Sequence, residues 1–193
     1  MKKLPDNFFI EKYGLKVRLV NENDADFIVS LRSDPNKTKY MVTLNHEIES
    51  QIRWMKEYKK REKEGLDYYF IYSSLNNKPI GVNRLSHINC REKTAVTASW
   101  ITIGGLIYEP FLMQLILNEI AFNLLEINIL KGQIHIKNNK LIRFFELFDA
   151  KFEDNGTDFY HTITLKNDFQ KVYDYRITKL ALQSVVKFED RVK

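Results

Sequence analysis

One segment narrows the choice of fold more than any other. Phe111 to Leu125 is nearly hydrophobic all round. A helix with that pattern is buried, because no face of it suits water. Pro110 precedes it at a first-turn position that tolerates a missing N–H, and Gly104-Gly105 breaks the pattern before that. No run of 18 apolar residues exists, so a membrane-spanning helix is not expected. The segment therefore reads as a core helix around which the other elements are wrapped.

Those other elements alternate in character. Leu15, Val17 and Leu19 alternate with Lys16 and Arg18, which predicts a short strand. Ala25, Ile28, Val29 and Leu31 fit a helix from about Asp24 to Arg32, stopped by Ser33-Asp34-Pro35-Asn36. Asn45 or His46 opens a longer helix with Ile48, Ile52, Met55 and Tyr58 at helical spacing, ending near Gly65. Three strands are predicted next, over 67–73, 80–88 and 94–103, the first pair joined by the turn Asn76-Asn77-Lys78-Pro79. Beyond the apolar helix, 129–136 reads as a strand and Asn138 caps a helix through Leu141, Phe144, Phe145 and Phe148. Phe152 opens another strand, Asp154-Asn155-Gly156-Thr157 turns the chain, and 160–165 is the last strand. A helical extension follows from Asn167 to Lys193, suited to a dimer contact, a lid or packing on the core. The expected class is α+β, one mostly antiparallel sheet with helices on its faces. Three parts are expected: an N-terminal segment (1–12), a domain (13–166) and the extension (167–193).

Composition removes several functions. With 193 residues, 13% aromatic residues and 4 Pro, the chain is a foldable globular sequence and not a disordered one. Cys90 is the single cysteine, so no internal disulfide forms. His46, His87, His135 and His161 lack metal-ligand spacing, and no metal is expected. The net charge of +5 comes with interleaved acids, as over 56–64, which reads as a solvated helix face and not a nucleic-acid surface. The first eleven residues show no apolar core of a signal peptide, so a cytoplasmic protein is expected.

Three stretches, in order, resemble the GNAT superfamily of acyl-CoA N-acyltransferases. The first is Leu15-Lys16-Val17-Arg18-Leu19-Val20-Asn21-Glu22-Asn23-Asp24-Ala25, followed by Leu31-Arg32-Ser33-Asp34-Pro35 and Lys39-Tyr40-Met41. It is similar to the opening of members that act on ribosomal-protein N-termini and on amino sugars. The second is Tyr69-Phe70-Ile71-Tyr72 with Lys78-Pro79-Ile80-Gly81-Val82-Asn83-Arg84-Leu85, similar to the family's hairpin. The third runs from Ile136 through Asn138 and Phe144 to Asp149-Ala150-Lys151-Phe152, similar to the family's Asn-led helix. The resemblance covers about 13–166.

The resemblance implies two central parallel strands that splay apart to admit the pantetheine arm of acetyl-CoA. It places Ile101, Thr102 and Ile103 along that arm, Gly104 and Gly105 in the pyrophosphate loop before the apolar helix, and Asn138 and Phe144 beside the thioester. It places Tyr40, Met41, Asn83, Arg84 and Trp100 toward the acceptor, with Arg84 as a phosphate ligand. From the residues alone, Asn138 also serves as a plain helix cap, and Trp100 as a core aromatic. Two departures stand out. The loop Ile103-Gly104-Gly105-Leu106-Ile107-Tyr108-Glu109-Pro110 has no Gly-x-Gly and no Lys or Arg, while Ser99-Trp100-Ile101-Thr102-Ile103 matches the strand of a proline-containing subgroup. Phe145 stands where many members carry a tyrosine acid, and Asp149 where they carry glycine. Ser99, Tyr108 and His135 are then the candidate catalytic groups. The implied reaction is direct acetyl transfer from acetyl-CoA to a primary amine of a small molecule, such as a nucleotide-linked amino sugar of surface polysaccharide. A protein N-terminus, or a GNAT-fold binding protein without catalysis, is the alternative.

Overall fold

The structure is a computed structural model and describes residues 2–41, 47–174 and 179. It opens with β1 (Phe9–Lys12) and β2 (Leu15–Leu19), then α1 (Ala25–Arg32), α2 (Pro35–Thr38) and α3 (Ile48–Glu64). β3 (Tyr68–Ser74), β4 (Pro79–Asn89) and β5 (Thr94–Thr102) follow, then α4 (Glu109–Glu119). The chain ends with β6 (Ile129–His135), α5 (Asn139–Glu146), β7 (Lys151–Asp154), β8 (Phe159–Leu165) and α6 (Lys166–Val172). The eight strands form one sheet in the order β1-β2-β3-β4-β5-β6-β8-β7. Every neighbouring pair is antiparallel except β5 and β6. The class is α+β, as the sequence predicts.

Local chemistry explains most boundaries. Asn21 caps the turn before α1, its side chain taking the Asn23 N–H while Asp24 reaches back to the Asn21 N–H at 2.8 Å. Arg18 donates two hydrogen bonds to Asp24, both 2.7 Å, which ties β2 to that turn. Gly65, at φ +78°, ends α3 in the left-handed region where a side chain would strain the backbone. α4 continues as one wider helical turn through Ile120–Leu124.

The sheet has a hydrophobic cluster on each face. α4 packs Leu112, Leu115, Ile116 and Phe122 against Val17, Phe70, Tyr72 and Leu85. On the other face α1 and α3 bring Ile28, Leu31, Met55 and Tyr58 to Tyr69, Ile71, Val82 and Ile101. The apolar helix is thus buried, as its pattern requires.

Two features depart from the sequence reading, and a third takes one of the roles that reading leaves open. The N-terminal segment is not separate from the sheet, because 9–12 pair with 15–18 as an edge strand. The stop at Asp34-Pro35 becomes a short helix, α2, with the Asp34 side chain accepting the Asn36 N–H at 2.9 Å. The start of the extension packs on the core: Phe169 meets Phe122 at 5.2 Å between ring centroids, and the Tyr173 hydroxyl donates to Glu119 at 2.8 Å. Asn45, His46 and nearly all of the extension beyond 174 lie outside the described residues.

Candidate active site

The site begins where β5 and β6 stop pairing. Their parallel ladder has three partners only: Thr94 with Ile129, Ala95 with Leu130, and Val96 with Lys131. Thr97 ends it with its side chain, donating to the Lys131 carbonyl at 3.2 Å. β5 then continues beside β4, and β6 beside β8, leaving a gap. Gly132 marks the fork. A Cβ there would lie 2.7 Å from Thr162 Oγ1 and 2.8 Å from Thr97 Oγ1, closer than packed atoms tolerate.

β5 is also distorted from its other side. Val82 faces Ile101 and Arg84 faces Ala98, so Ser99 and Trp100 oppose Asn83 alone. This is a β-bulge, and Ser99 sits in it at φ +52°, a conformation that costs a non-glycine residue roughly 1–2 kcal/mol. Arg32 of α1 donates to Ser99 Oγ at 3.1 Å.

A cavity of about 470 Å³ fills the gap. β5 lines it from Thr97 to Thr102, β6 with Gln133, Ile134 and His135, and α5 with Lys140, Leu141, Phe144 and Phe145 behind its cap Asn138. Lys37 of α2, with Tyr40 and Met41 just after it, closes one end, and Asn83, Gln114, Leu117 and Thr162 complete the wall. Trp100 and Phe144 pack at 5.2 Å between ring centroids. Among the described residues the lining includes two lysines and no aspartate or glutamate.

Most of the sequence candidates converge here. Ser99, His135, Ile101, Thr102, Asn138, Phe144, Tyr40, Met41, Asn83 and Trp100 all line the cavity. Asn83 is fully buried in it and accepts the Tyr72 hydroxyl at 3.0 Å. Asn138 caps α5 through the Leu141 N–H at 3.3 Å.

Five candidates do not line it. Arg84 is held away by a two-point pair with buried Asp67 and by the Trp54 ring, 4.9 Å from its guanidinium carbon. An arginine so engaged is not offered to a substrate phosphate. Ile103 packs between the two cores. Tyr108 belongs to the turn that starts α4. Gly104 and Gly105 form an open loop, where an added Cβ would meet nothing within 4 Å. Glu109 turns its own carboxylate onto that loop, accepting the Ile107 N–H at 3.2 Å and the Tyr108 N–H at 3.1 Å. Pro110 offers no N–H at all.

Local patterns announced little of Lys37, Gln114, Gln133 and Lys140. Gln114 and Asn118 gave the clearest signal, two amides four apart in an apolar helix; they bond to each other at 2.8 Å. Lys140 gave another, a cation in the first turn of a helix, where the dipole disfavours it.

Three buried side-chain polar atoms have no hydrogen-bond partner among the described residues: Arg32 Nε, Tyr69 OH and Trp100 Nε1. All belong to the surroundings of the bulge. Burial pushes the Tyr69 hydroxyl well up, while Arg32 and Ser99 beside it pull the other way.

No family model matches the chain. Among curated proteins, acetyltransferase PseH of Campylobacter jejuni is 24% identical over 155 residues, covering 77% of this chain and 90% of the relative. Among solved structures, FdhC, a nucleotide-linked sugar GNAT in its apo form, superposes with a TM-score of 0.77. It is 28% identical, over 86% of this chain and 95% of FdhC. The chain has the fold of the GNAT superfamily and is similar to its members in sequence. Spermidine N-acetyltransferase of Vibrio cholerae, solved with CoA and spermine, shares the GNAT fold at a TM-score of 0.69 and 18% identity, over 81% of this chain and 98% of that one.

The residues of this GNAT-fold chain fit the acyl donor at the fork. Main-chain groups of β5 beyond Val96 have no ladder partner on the β6 side, and such groups take an extended amide-bearing arm. Ile101 and Thr102 would flank that arm, with Asn138 and Phe144 opposite. At the loop, the Ile107 and Tyr108 amides are already engaged by Glu109, so Gly104 and Gly105 carry the room there.

Proposed function

We propose that this chain transfers an acetyl group from acetyl-CoA directly to the amino group of a nucleotide-linked amino sugar. The observation that carries the reading is the lining of the cavity, which has Lys140, His135 and Lys37, the last paired with Asp34 at 2.5 Å just outside the lining, and no carboxylate among the described lining residues. A polyamine needs anionic partners for its charges, since a buried cation without one is costly. A sugar nucleotide needs the reverse: cations and hydrogen-bond donors for its diphosphate, and polar groups for its hydroxyls. The likeness to the acetyltransferase PseH supports acetyl transfer, and the likeness to FdhC, a nucleotide-linked sugar GNAT, supports this acceptor.

Acetyl-CoA supplies an activated acyl carbonyl. The protein's share is orientation and exclusion of water. β5 and α5 hold the donor from two sides, and Trp100 and Phe144 wall the reacting end. Tyr40 and Met41 guide the acceptor in from the α2 side. No carboxylate stands ready as a base, so the amine arrives neutral. That suits an amine on a sugar ring, whose neighbouring oxygens reduce its basicity, better than a polyamine. Phe145, 8% exposed, gives no proton to the departing thiolate; we assign the transfer to Ser99 Oγ on β5, which would take the surplus proton of the attacking amine as it passes its own to the thiolate, so that amide and CoA thiol form together. The cytoplasm, where acetyl-CoA and sugar nucleotides are made, is the expected location.

The test is release of CoA thiol from acetyl-CoA with a panel of UDP- and dTDP-linked amino sugars, spermidine and a peptide N-terminus. We expect kcat/KM for one nucleotide-linked amino sugar to exceed that for spermidine by at least about a hundredfold, the size of effect that unpaired buried charges produce. A preference for spermidine or the peptide would overturn the reading. Tight acetyl-CoA binding with no thiol release from any acceptor would favour a binding protein.

A further inference from the structure

We infer that His135 is a fixed hydrogen-bond donor to an oxygen of the acceptor, through Nε2–H, and not the base of the reaction. The inference deepens the acetyl-transfer reading and uses it for its kinetic test only.

The argument starts from a main-chain amide. The Lys137 N–H donates to His135 Nδ1 at 3.1 Å. A backbone amide can only donate, so Nδ1 must accept with its lone pair. A neutral imidazole carries one hydrogen, and here it is therefore on Nε2. The ring is held in that orientation. Tyr40, on the segment after α2, lies against it at 5.1 Å and Phe159, on β8, at 5.2 Å, centroid to centroid. The backbone is held as well, because the His135 carbonyl accepts the Asn138 N–H at 2.8 Å. That turn links the end of β6 to the cap of α5.

A base must offer a lone pair to the amine. The one lone pair of His135 is spent on Lys137, within its own turn. What His135 presents as it lines the cavity is an N–H. Its partner is an oxygen, either a hydroxyl of the sugar or an oxygen of the phosphates, in a cavity that Lys140 and Gln133 also line. His135 is then a positioning residue that reads the acceptor.

Two measurements on the full chain decide this. The first is the tautomer, read from the imidazole nitrogens by ¹⁵N NMR at pH 8, above the ordinary histidine range, with H135Q for assignment. We expect hydrogen on Nε2 and none on Nδ1; hydrogen on Nδ1 would overturn the inference. The second uses the acceptor that turns over best in the panel above. H135F keeps the ring contacts and loses the donor, and we expect its acceptor KM to rise about tenfold with kcat within about threefold, as for one lost hydrogen bond. H135Q restores an N–H near the Nε2 position and is expected to recover most of that loss, with the pH–rate profile unmoved. A fall in kcat of about a hundredfold or more, with loss of a limb of that profile, is the signature of a base and would refute the donor role. An empty panel would sink the acetyl-transfer reading while leaving the tautomer result to decide this one.

Discussion

β5 is two strands in one. Over Thr94–Val96 it pairs on both sides, with β6 and, across a bulge that β4 carries at His87 and Ile88, with β4, and Thr94 and Ala95 are buried. From Thr97 to Thr102 it pairs with β4 alone, carries a bulge, and opens onto the cavity. Residue types barely distinguish the halves. Threonine, alanine and a β-branched or aromatic residue occur in both. The difference is made by neighbours: Gly132 and Thr97 end the parallel ladder, and Asn83 faces two residues where a regular strand would offer one. A binding site is built here by interrupting a sheet, beside the short stretch where β5 keeps a partner strand on each side.

The comparison can be broken most severely from the closed side. Asp67, 1% exposed, pairs with Arg84, which faces Ala98 at the start of the bulge, and with Arg61 of α3. D67A leaves both guanidiniums without that partner. Stability should fall by about 3–5 kcal/mol, read as a drop in Tm of roughly 6–20 °C for a chain of this size. A loss under 1 kcal/mol would mean that the pair does not anchor the ladder.

A substitution at the fork touches both halves. G132A places a Cβ against Thr97 and Thr162 and should cost about 1–3 kcal/mol, while calorimetry shows weaker acetyl-CoA binding because Thr97 must move. Unchanged affinity would separate the fork from the donor site. At the bulge the two readouts should part company. S99G relieves the left-handed backbone and should leave stability unchanged or raised by up to about 1 kcal/mol. It removes the hydroxyl that meets Arg32, so kcat/KM should fall at least about tenfold. Loss of stability with full activity would show that the bulge serves the sheet and not the site. The smallest effect is expected at Asp149, exposed beyond the end of α5 at φ +56°. D149G should raise stability by up to about 1 kcal/mol with activity unchanged.

Asp149 also shows what a sequence can and cannot disclose. Its position is one where the family carries glycine, and the positive φ explains that glycine directly. The meander, the buried helix, the Asn138 cap and the Asn76–Pro79 turn were legible because each is local: period, cap or turn chemistry within a few residues. β1 was not, since Phe9–Lys12 is an edge strand with no buried face to impose alternation. The bulge was not, since Ser99 and Trp100 continue a strand pattern without a break. Arg84 was misplaced because its partner, Asp67, lies 17 positions away and the local pattern of neither residue announces the other. Ten of the 21 cavity-lining residues were candidates from the sequence, and their hydrogen-bond roles, as at His135, were legible only through the backbone around them.

The three-pair seam between β5 and β6 has a consequence for how the molecule comes into being. On one side of it, β1 to β5 join through antiparallel ladders between strands successive in the chain. On the other, β6, β7 and β8 pair among themselves. The seam joins Thr94 to Ile129, 129 − 94 = 35 positions apart, with α4 between them. Closing that loop costs chain entropy that three ladder pairs repay late. The active site is then the last part of the molecule to assemble and the first to be lost on partial opening. Amide exchange at Lys131, whose main chain faces β5, should outpace exchange at Phe70 or Val82 under native conditions. An opened seam would empty the cavity while leaving both ladders standing.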